Sequence, residues 1–382
     1  MSLTSGVLDK HLQKAQRIAI KVGSSLLIDK QTGQLNHSWF EAFIADIAQL
    51  HRLGKQILIV SSGAVALGRK VLHINPDAER PDKTKAAACA AVGQIELAHA
   101  YQHQLKDFNI PVGLVLITTH NTENRNMYLN LRDTLDMILE TGAIPVLNEN
   151  DAVSDYDEKY GDNDRLAARI AGMVDADLLI IFSDIDGLYT GNPRKDPEAQ
   201  FIDIVPEVTP AIQAMASGTG SNVGSGGMST KLQAAIIARS AGCNMMIANG
   251  TVLSPLTHIS HTNRYTFFPA AEQTMAARKH WILGTPEPAG AVIVDDGAVK
   301  ALRAGSSLLP IGCREVHGTF KRGDCIRILN KQKQEIARGL SGYSSDEVFI
   351  ILGRQTKDIP KLLGHVRKPE LIHRNDLVLL IS

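Results

Sequence analysis

The sequence predicts an α/β protein: a mostly parallel sheet sandwiched by helices, followed by a small, mainly β C-terminal domain. Short apolar runs rich in β-branched residues alternate with helix-length segments as far as Gly250. Parallel strands have this continuous apolar character because helices cover both faces of their sheet. After Gly290 the apolar runs become short and are separated by Gly, Asp and Lys turns, which favours a compact barrel or sandwich.

Several apolar runs are predicted as the strands of the larger domain. They are residues 17–22 (RIAIKV), 56–60 (QILIV), 111–117, 143–147 (AIPVL), 178–182 (LLIIF) and 244–248. The segments predicted as helices are residues 37–53, 83–106, 124–140, 164–174 and 228–241. Ligands of such sheets bind beyond the carboxyl ends of the strands. The polar residues that follow these strands are therefore candidate binding groups.

Length and composition fit a two-domain globular protein. The chain has 382 residues, of which 44% are hydrophobic and 21% charged. Lys+Arg and Asp+Glu both number 40, so no global field indicates nucleic acid or an anionic membrane as a partner. The N-terminus lacks the apolar core of a signal peptide, and no run of about 18 apolar residues predicts a transmembrane helix. We expect a cytoplasmic enzyme with buried free thiols, since no cysteines form a C-x-x-C pair.

The segment from Gly224 to Lys231 (GSGGMSTK) is the strongest phosphate-binding signal. Its glycines let backbone N–H groups surround an anion. The residues from Met228 onward favour a helix, so a positively polarised helix N-terminus would face the same anion. Thr230 and Lys231 add a hydroxyl and a full positive charge in the first turn. This combination suits a polyphosphate.

Lys21 lies inside the first apolar run, one residue before the VGSS segment. A lysine is costly to bury unless its ammonium group reaches an anion. It is therefore a candidate for contact with a phosphoryl group above the sheet, next to the donors of Gly23–Ser25. The alternative is a lysine at a strand edge whose stem reaches solvent.

Three further polar clusters follow predicted strands or open a helix. Ser62–Gly63 is either a binding group or an ordinary helix cap with its turn glycine. Asn148–Asp151 (NEND) suits hydrogen bonding to a small polar substrate, the alternative being a solvated loop. In Gly161–Asp164 (GDND), capping explains one acidic residue but not the whole run. Asp164 could pair with two lysines and hold them at a fixed spacing.

Other motifs are weaker or absent. Asp184 and Asp186 have the D-x-D spacing of a metal site, but Asp186–Gly187 is also a turn signal. His99 and His103 lack the glutamate of H-E-x-x-H, so a zinc site is not expected. Neither a P-loop nor the protein-kinase signatures occur. The phosphate-binding device is therefore of another kind.

These motifs resemble those of the amino acid kinase family. The segments that carry the resemblance are residues 20–25 (IKVGSS), 60–64 (VSSGA), 130–135 (NLRDTL), 144–151 (IPVLNEND), 161–164 (GDND), 186–189 (DGLY) and 226–231 (GGMSTK). The part after Gly290, with GSSLLP at 305–310 and GLSGY at 339–343, resembles a PUA domain. The implied boundaries are a kinase domain at 1–260, a linker at 261–289 and a PUA-like domain at 290–382.

The pairing of these domains implies transfer of the γ-phosphoryl group of ATP to the side-chain carboxylate of L-glutamate, the first step of proline synthesis. By resemblance, Lys21 and Lys231 stabilise the transferring group and Asp164 orients them. The resemblance assigns glutamate binding to Ser62, Asp151 and Asn163. It assigns ATP binding to Lys21, Ser183, Asp184, Ser225, Gly226, Gly227, Met228, Ser229, Thr230 and Lys231. Mg²⁺ is expected to be held mainly by phosphates and water, and no protein ligand is assigned.

The resemblance also implies a homo-oligomer, a dimer or tetramer, in which the kinase domains form the contact. Two stretches depart from the family pattern: the long glycine-rich loop 218–227 (GTGSNVGSGG) and the acidic stretch 154–160 (SDYDEKY). The first leaves the ATP contacts of that loop open. The second leaves open whether proline inhibits the enzyme, because this region shapes the amino-acid site in the family.

The sequence also allows other functions. Acetylglutamate kinase, aspartokinase and uridylate kinase are related alternatives, but a PUA-like tail is expected of none of them. An RNA-binding protein is an alternative of another class, since PUA domains elsewhere bind structured RNA. Acidic residues interrupt the basic residues of the tail and no series of aromatic residues appears, which argues against it. A kinase domain without activity is the third alternative, against which the presence of Lys21, Asp164 and Lys231 argues.

Overall fold

The structure is a computed structural model that describes residues 8–29, 31–74, 83–154, 163–217, 227–271, 288–364 and 369–380. The chain divides into two compact units, Met1–Glu272 and Gln273–Ser382. All four cysteines are free and buried, as the sequence predicts. None of the described helices is both long and apolar enough to cross a membrane.

The first unit is built on a seven-stranded sheet with the strand order β3-β4-β2-β1-β5-β8-β9. Its strands are β1 (Arg17–Val22), β2 (Gln56–Ser61), β3 (Val112–Ile117), β4 (Ile144–Glu149), β5 (Leu178–Ser183), β8 (Asn244–Asn249) and β9 (Tyr265–Phe268). Neighbouring strands are parallel except β8 and β9. The mostly parallel sheet predicted from the apolar runs is confirmed. A separate two-stranded ribbon pairs β6 (Leu188–Tyr189) with β7 (Phe201–Ile202).

Helices cover both faces of this sheet. They are α1 (Lys10–Lys14), α2 (Ser24–Leu27), α3 (His37–Arg52), α4 (Ala64–Val71), α5 (Lys83–Lys106), α6 (Thr119–Glu123), α7 (Arg125–Glu140), α8 (Asn163–Met173), α9 (Pro210–Ser217), α10 (Met228–Ser240) and α11 (Pro255–Thr262). Side chains of β1 alternate between two cores: Ile18 and Ile20 pack in one, Ala19 in the other. This period of two is that of a strand buried on both faces.

Helices α4 and α5 meet backbone to backbone at two glycines. A Cβ atom on Gly93 would lie 1.8 Å from the Ala64 carbonyl oxygen, and one on Gly68 would lie 1.8 Å from the Cys89 carbonyl oxygen. Only glycine permits so close a crossing. As a result, α5 lies directly against the start of α4, which follows the end of β2.

Regular structure extends past residue 260, into the start of the linker predicted at 261–289. Helix α11 spans Pro255–Thr262, and Tyr265–Phe268 forms the edge strand β9, antiparallel to β8. All four residues of β9 are buried. This strand is short and has polar neighbours in the sequence, so it lacks the longer apolar run from which the other strands were predicted. The linker predicted from residue 261 therefore overlaps an element of the kinase-domain sheet.

The second unit contains a five-stranded sheet with the order β11-β10-β12-β13-β14. The strands are β10 (Gly290–Val294), β11 (Cys313–Gly318), β12 (Cys325–Leu329), β13 (Glu335–Leu340) and β14 (Leu377–Leu379). Neighbours are antiparallel except β10 and β12. Helices at Asp296–Arg303, Ser345–Ile351 and Ile359–Leu363 accompany it. A core that includes Val292, Ile326 and Tyr343 holds this unit together.

Candidate active site

The carboxyl ends of four neighbouring strands meet at one edge of the larger sheet. In register, Lys21 of β1 lies beside Val60 of β2 and Ile181 of β5. Val60 in turn lies beside Leu147 of β4. The polar residues that follow these positions are therefore neighbours, as the sequence predicts for a ligand site of a parallel sheet.

Two lysines meet on one buried carboxylate at this edge. Lys21 Nζ lies 2.6 Å from Asp164 Oδ1, and Lys231 Nζ lies 3.1 Å from Asp164 Oδ2. Thr230 Oγ1 also lies 3.2 Å from Asp164 Oδ2. Asp164 is fully buried, and Lys21 and Lys231 are only 7% and 5% exposed. The structure thus brings together the three residues predicted to be catalytic.

Local structure explains this meeting. Asp164 is in the first turn of α8, where the helix dipole favours an acidic residue. Lys231 is in the first turn of α10. Buried alanines of α8 and α10, among them Ala167 and Ala235, share one core, and small side chains allow two helices to pack closely. The two helix starts therefore lie side by side.

The charges of this triad leave one net positive charge in a nearly buried site. Burial alone would raise the pKa of Asp164, but the ammonium groups of Lys21 and Lys231 together outweigh it and lower that pKa. The carboxylate is therefore ionised at neutral pH. An anion that approaches the two ammonium groups meets a site prepared for negative charge.

A neutral hydrogen-bond network lies at the ends of β2 and β4. Asn163 Nδ2 lies 2.9 Å from the Ser61 carbonyl oxygen, 2.8 Å from Ser62 Oγ and 3.1 Å from Asn148 Oδ1, and these three acceptors share its two hydrogens. Asn163 directly precedes Asp164, so this network adjoins the ion triad. Gly63 then starts α4 at φ +108°, a conformation that favours glycine. Ser62 and Asn163, two of the residues predicted to bind glutamate, are thus in direct contact.

Asp151, the third residue predicted to bind glutamate, lies in the turn that follows β4. The neighbouring Asn150 backbone N–H donates to the Ile117 carbonyl oxygen at 2.8 Å, which ties this turn to the end of β3. Asp151 lines a groove together with Glu149 and Asn150. Its carboxylate therefore stands at the same edge of the sheet as the network.

The residues predicted to bind ATP lie on the other side of the triad, at the end of β5 and the start of α10. Ser183 ends β5, and Asp184 follows it. Burial raises the pKa of Asp184, but hydrogen bonding and the charge of Arg194, 3.0 Å from its Oδ2, bring it below the ordinary value, with a smaller contribution from Lys231. The D-x-D pair does not form one site, because Asp186 pairs with Arg264 at 2.8 Å.

The glycine loop is described only from Gly227 onward. Gly227 is extended and precedes α10, and its carbonyl oxygen accepts a hydrogen bond from Thr230 Oγ1 at 2.7 Å. Met228 and Ser229 begin the helix. The predicted ATP residues Ser225 and Gly226 lie outside the described residues, as do Gly161 and Asp162 of the GDND motif. Over residues 8–380 with the gaps given above, no group of three His, Cys, Asp or Glu side chains could hold a metal ion.

Two polar residues of α5 contact the site and were missed by the sequence analysis. Gln94 Oε1 accepts a hydrogen bond from Asn148 Nδ2 at 2.9 Å, and Tyr101 Oη donates to Ser61 Oγ at 3.1 Å. Both are buried. A signal was present, because Gln94 occupies the apolar face that Ala90, Leu97 and Tyr101 mark at helical spacing. A polar residue on such a face needs a buried partner.

Comparison with known proteins defines the class of protein to which this site belongs. Residues 16–249 match the amino acid kinase family and residues 290–363 match the PUA domain. The chain belongs to the amino acid kinase family, and its C-terminal part is a PUA domain. The resemblance inferred from the motifs is confirmed.

Curated relatives of this chain have a named activity within that family. A glutamate 5-kinase of Paramagnetospirillum magneticum is 49% identical over 368 residues, which cover 96% of this chain and 99% of the relative. A glutamate 5-kinase of Agrobacterium fabrum is 48% identical over 379 residues, which cover 99% and 96%. Among solved structures, a UMP kinase from Ureaplasma parvum has 15% identity and a TM-score of 0.48, and covers 67% of this chain and 99% of that protein.

Proposed function

We propose that this chain transfers the γ-phosphoryl group of ATP to the side-chain carboxylate of L-glutamate, which yields L-glutamyl 5-phosphate and starts proline synthesis. The near-complete match to curated glutamate 5-kinases supports the substrate. The observation that carries the chemistry is the pairing of Lys21 and Lys231 on Asp164, next to the amide network of Asn163. A cationic centre and a polar amino-acid subsite thus adjoin each other.

The chemistry needs cations more than it needs a base. A glutamate side chain has a pKa of about 4.3 and is already ionised at neutral pH. The obstacle is the repulsion between this carboxylate and the phosphates, together with the charge that spreads over the transferring group. Lys21 and Lys231 offset that charge, and one such donor typically contributes about 3–4 kcal/mol to lowering the barrier. Asp164 holds both ammonium groups in place before substrate arrives.

The amide network suits the amino-acid end of glutamate. Because Asn163 Nδ2 already contacts three acceptors, the group that Asn163 has left for a ligand is Oδ1. An amide oxygen accepts hydrogen bonds from an ammonium group. The Asp151 carboxylate adds a negative charge for the same group. Ser62 supplies a hydroxyl that can donate to a carboxylate.

For ATP we propose the residues at the end of β5 and the start of α10, from Ser183–Asp184 and the Ser225–Lys231 loop. The first turn of α10 offers backbone N–H groups to phosphate oxygens. Bound Mg²⁺ would supply further neutralisation of the phosphate charge, and we expect it to be held mainly by phosphate and water oxygens. We assign no protein ligand to it. Buried free thiols suit a reducing compartment, and we propose the cytoplasm.

A coupled assay with ATP, Mg²⁺ and an amino acid tests the proposed function. We expect turnover with L-glutamate and little with acetylglutamate or aspartate. Turnover with either of those substrates and none with glutamate would overturn the assignment. The same assay with added proline shows whether the amino-acid site responds to the end product.

We also propose that two kinase domains associate through α5 and the edge strand β3. This face exposes apolar side chains: Ile95 is 70% exposed, Leu114 41% and Leu116 37%. They border the groove of about 680 Å³ that Asp151 lines. An edge strand with apolar side chains is a template for pairing with another chain. Light scattering should report a dimer or tetramer, and Leu114→Lys should shift it toward monomer; a wild-type monomer contradicts the proposal.

A further inference from the structure

Gln94 is a buried polar residue that none of the roles above uses. It is 7% exposed and lies on α5, between the buried residues Ala90 and Leu97. Its Oε1 accepts the hydrogen bond from Asn148 Nδ2 at 2.9 Å. Its Nε2 is buried and has no hydrogen-bond partner among the residues that the structure describes. Burying a donor in this way is costly, so a side chain selected only for packing would be apolar.

Two backbone groups fix the direction of the hydrogen bonds between Gln94 and Asn163. The Glu149 backbone N–H can only donate, and it bonds to Asn148 Oδ1 at 2.9 Å. The Ser61 carbonyl oxygen can only accept, and it takes Asn163 Nδ2. Asn148 therefore presents Oδ1 to Asn163 and Nδ2 to α5. The group that receives Nδ2 must be an acceptor, which Gln94 Oε1 provides.

We propose that Gln94 is a positioning residue of the amino-acid subsite, which acts through Asn148 on Asn163. This inference rests on the proposed function, since it concerns the glutamate end of the site. Gln94 anchors the Nδ2 side of Asn148, which keeps Oδ1 directed at Asn163. Asn163 then keeps Nδ2 turned toward the protein and offers Oδ1 to the substrate. Without an acceptor at position 94, Asn148 loses one of its anchors. Asn163 then keeps its hydrogen bond to the Ser61 carbonyl oxygen but loses a firmly placed Asn148 Oδ1.

The rigid placement of α5 makes this action effective. Gly93, the residue before Gln94, lies against the backbone of Ala64 with no room for a Cβ atom. Tyr101 contacts Ser61 two turns further along the same helix. Gln94 therefore stands at a fixed distance from the ends of β2 and β4. A change in its side-chain chemistry alters the network without moving the helix.

The test compares how much glutamate affinity Asn163→Ala removes in three backgrounds: wild type, Gln94→Met and Gln94→Glu. Methionine has a similar length and no oxygen acceptor, whereas glutamate keeps an acceptor at the same distance. Glutamate affinity is measured by calorimetry, along with KM for glutamate, KM for ATP and kcat. We expect Asn163→Ala to lower the affinity for glutamate on the order of tenfold, both in the wild-type background and in Gln94→Glu. In Gln94→Met, whose glutamate affinity is itself lower, we expect Asn163→Ala to cause a clearly smaller loss of affinity than in wild type.

Each outcome bears on the proposal. The direct effect of the new charge in Gln94→Glu cancels in the comparison, because it is present with and without Asn163. If Asn163→Ala lowers glutamate affinity equally in Gln94→Met and in wild type, the proposal is overturned. It is also overturned if Gln94→Met changes only kcat or only KM for ATP. Loss of the fold in both Gln94→Met and Gln94→Leu would also overturn it, since Gln94 would then be structural. Gln104→Met, about 15 Å further along the helix, is the matched control and should change nothing.

The same measurements separate this inference from the proposed function. Wild-type protein that does not phosphorylate glutamate contradicts the proposed function, whatever the Gln94 variants show. Wild-type protein that phosphorylates glutamate but shows independent effects at positions 94 and 163 contradicts only the positioning role.

Discussion

The two ends of the site are built from different chemistry. At the phosphoryl end, two ammonium groups share one buried carboxylate. At the amino-acid end, side-chain amides, hydroxyls and a backbone carbonyl form a neutral network around Asn163. Both ends are built from residues near the carboxyl ends of strands and at helix starts, and the start of α8 contributes to both. The difference therefore lies in the type of interaction rather than in the scaffold.

This difference indicates a division of work. Charge that develops during transfer is offset by fixed cations, so the phosphoryl end should control kcat. Neutral hydrogen bonds orient a ligand that carries its charges in the ground state, so the amino-acid end should control KM for glutamate. Variants at each end test whether the two functions separate in this way.

The largest effect is expected from Asp164→Asn, because it leaves two nearly buried ammonium groups without their shared anion. Removing one partner of a buried ion pair typically costs about 3–5 kcal/mol of stability. Urea unfolding monitored by circular dichroism gives the free energy of unfolding, and the coupled assay gives activity. We expect both to fall steeply. Wild-type stability in this variant would show that the triad does not depend on its carboxylate.

The stabilisation by Asp164 also has a defined pH dependence. The pKa of Asp164 is lower in the folded state than its ordinary value. The contribution is therefore complete above about pH 4 and is lost as the pH falls through the lowered value. The difference in unfolding free energy between wild type and Asp164→Asn should stay constant from about pH 7 to pH 5. A difference that shrinks within this range contradicts the assignment.

Lys231→Ala should have the next largest effect, at the phosphoryl end alone. The remaining Lys21–Asp164 pair is neutral, so we expect the fold to persist. Turnover should fall about 100-fold or more because one cation no longer offsets the transferring charge. KM for glutamate should change little. Steady-state kinetics with each substrate varied checks this, and unchanged kcat would remove Lys231 from its role.

The charged end of the site was largely predictable from the sequence. A lysine inside an apolar strand is costly to bury unless its ammonium group reaches an anion. The GDND run at 161–164 contains more acidic residues than helix capping explains. Together with Lys231 they predict an ion triad before any coordinates are known. The strand order was not needed for this, because all strand ends of a parallel sheet share an edge. The roles assigned to these residues stay predictions, as do all the ATP contacts, including those of Ser225 and Gly226.

The parts that the sequence did not reveal depend on packing between distant segments. Gln94 reaches Asn148 because Gly68 and Gly93 let two helices touch, and no local pattern specifies that contact. Strand β9 is short and is flanked by polar residues, so it lacks the length that identifies the other strands. Its place is set by pairing with β8.

A smaller effect is expected at the amino-acid end. Asn163→Ala should raise KM for glutamate on the order of tenfold with kcat less affected, because it removes an oriented hydrogen bond rather than a charge. Ser62→Ala removes only one of the acceptors around Asn163 and should raise KM less. Kinetics with varied glutamate at saturating ATP checks both. A loss confined to kcat would contradict the division between the two ends.

The smallest effect is expected from an ion pair outside the site. Lys331 Nζ lies 2.7 Å from Asp296 Oδ2 in the second unit, at about the same separation as Lys21 and Asp164, but the side chains are 51% and 69% exposed. Solvent screens such pairs, which typically contribute about 0–1 kcal/mol. Lys331→Ala should therefore leave activity unchanged and lower the free energy of unfolding by less than about 1 kcal/mol. It makes the same substitution as Lys231→Ala, so equal losses of activity in the two variants would show that removing any lysine, rather than a cation of the buried triad, lowers turnover.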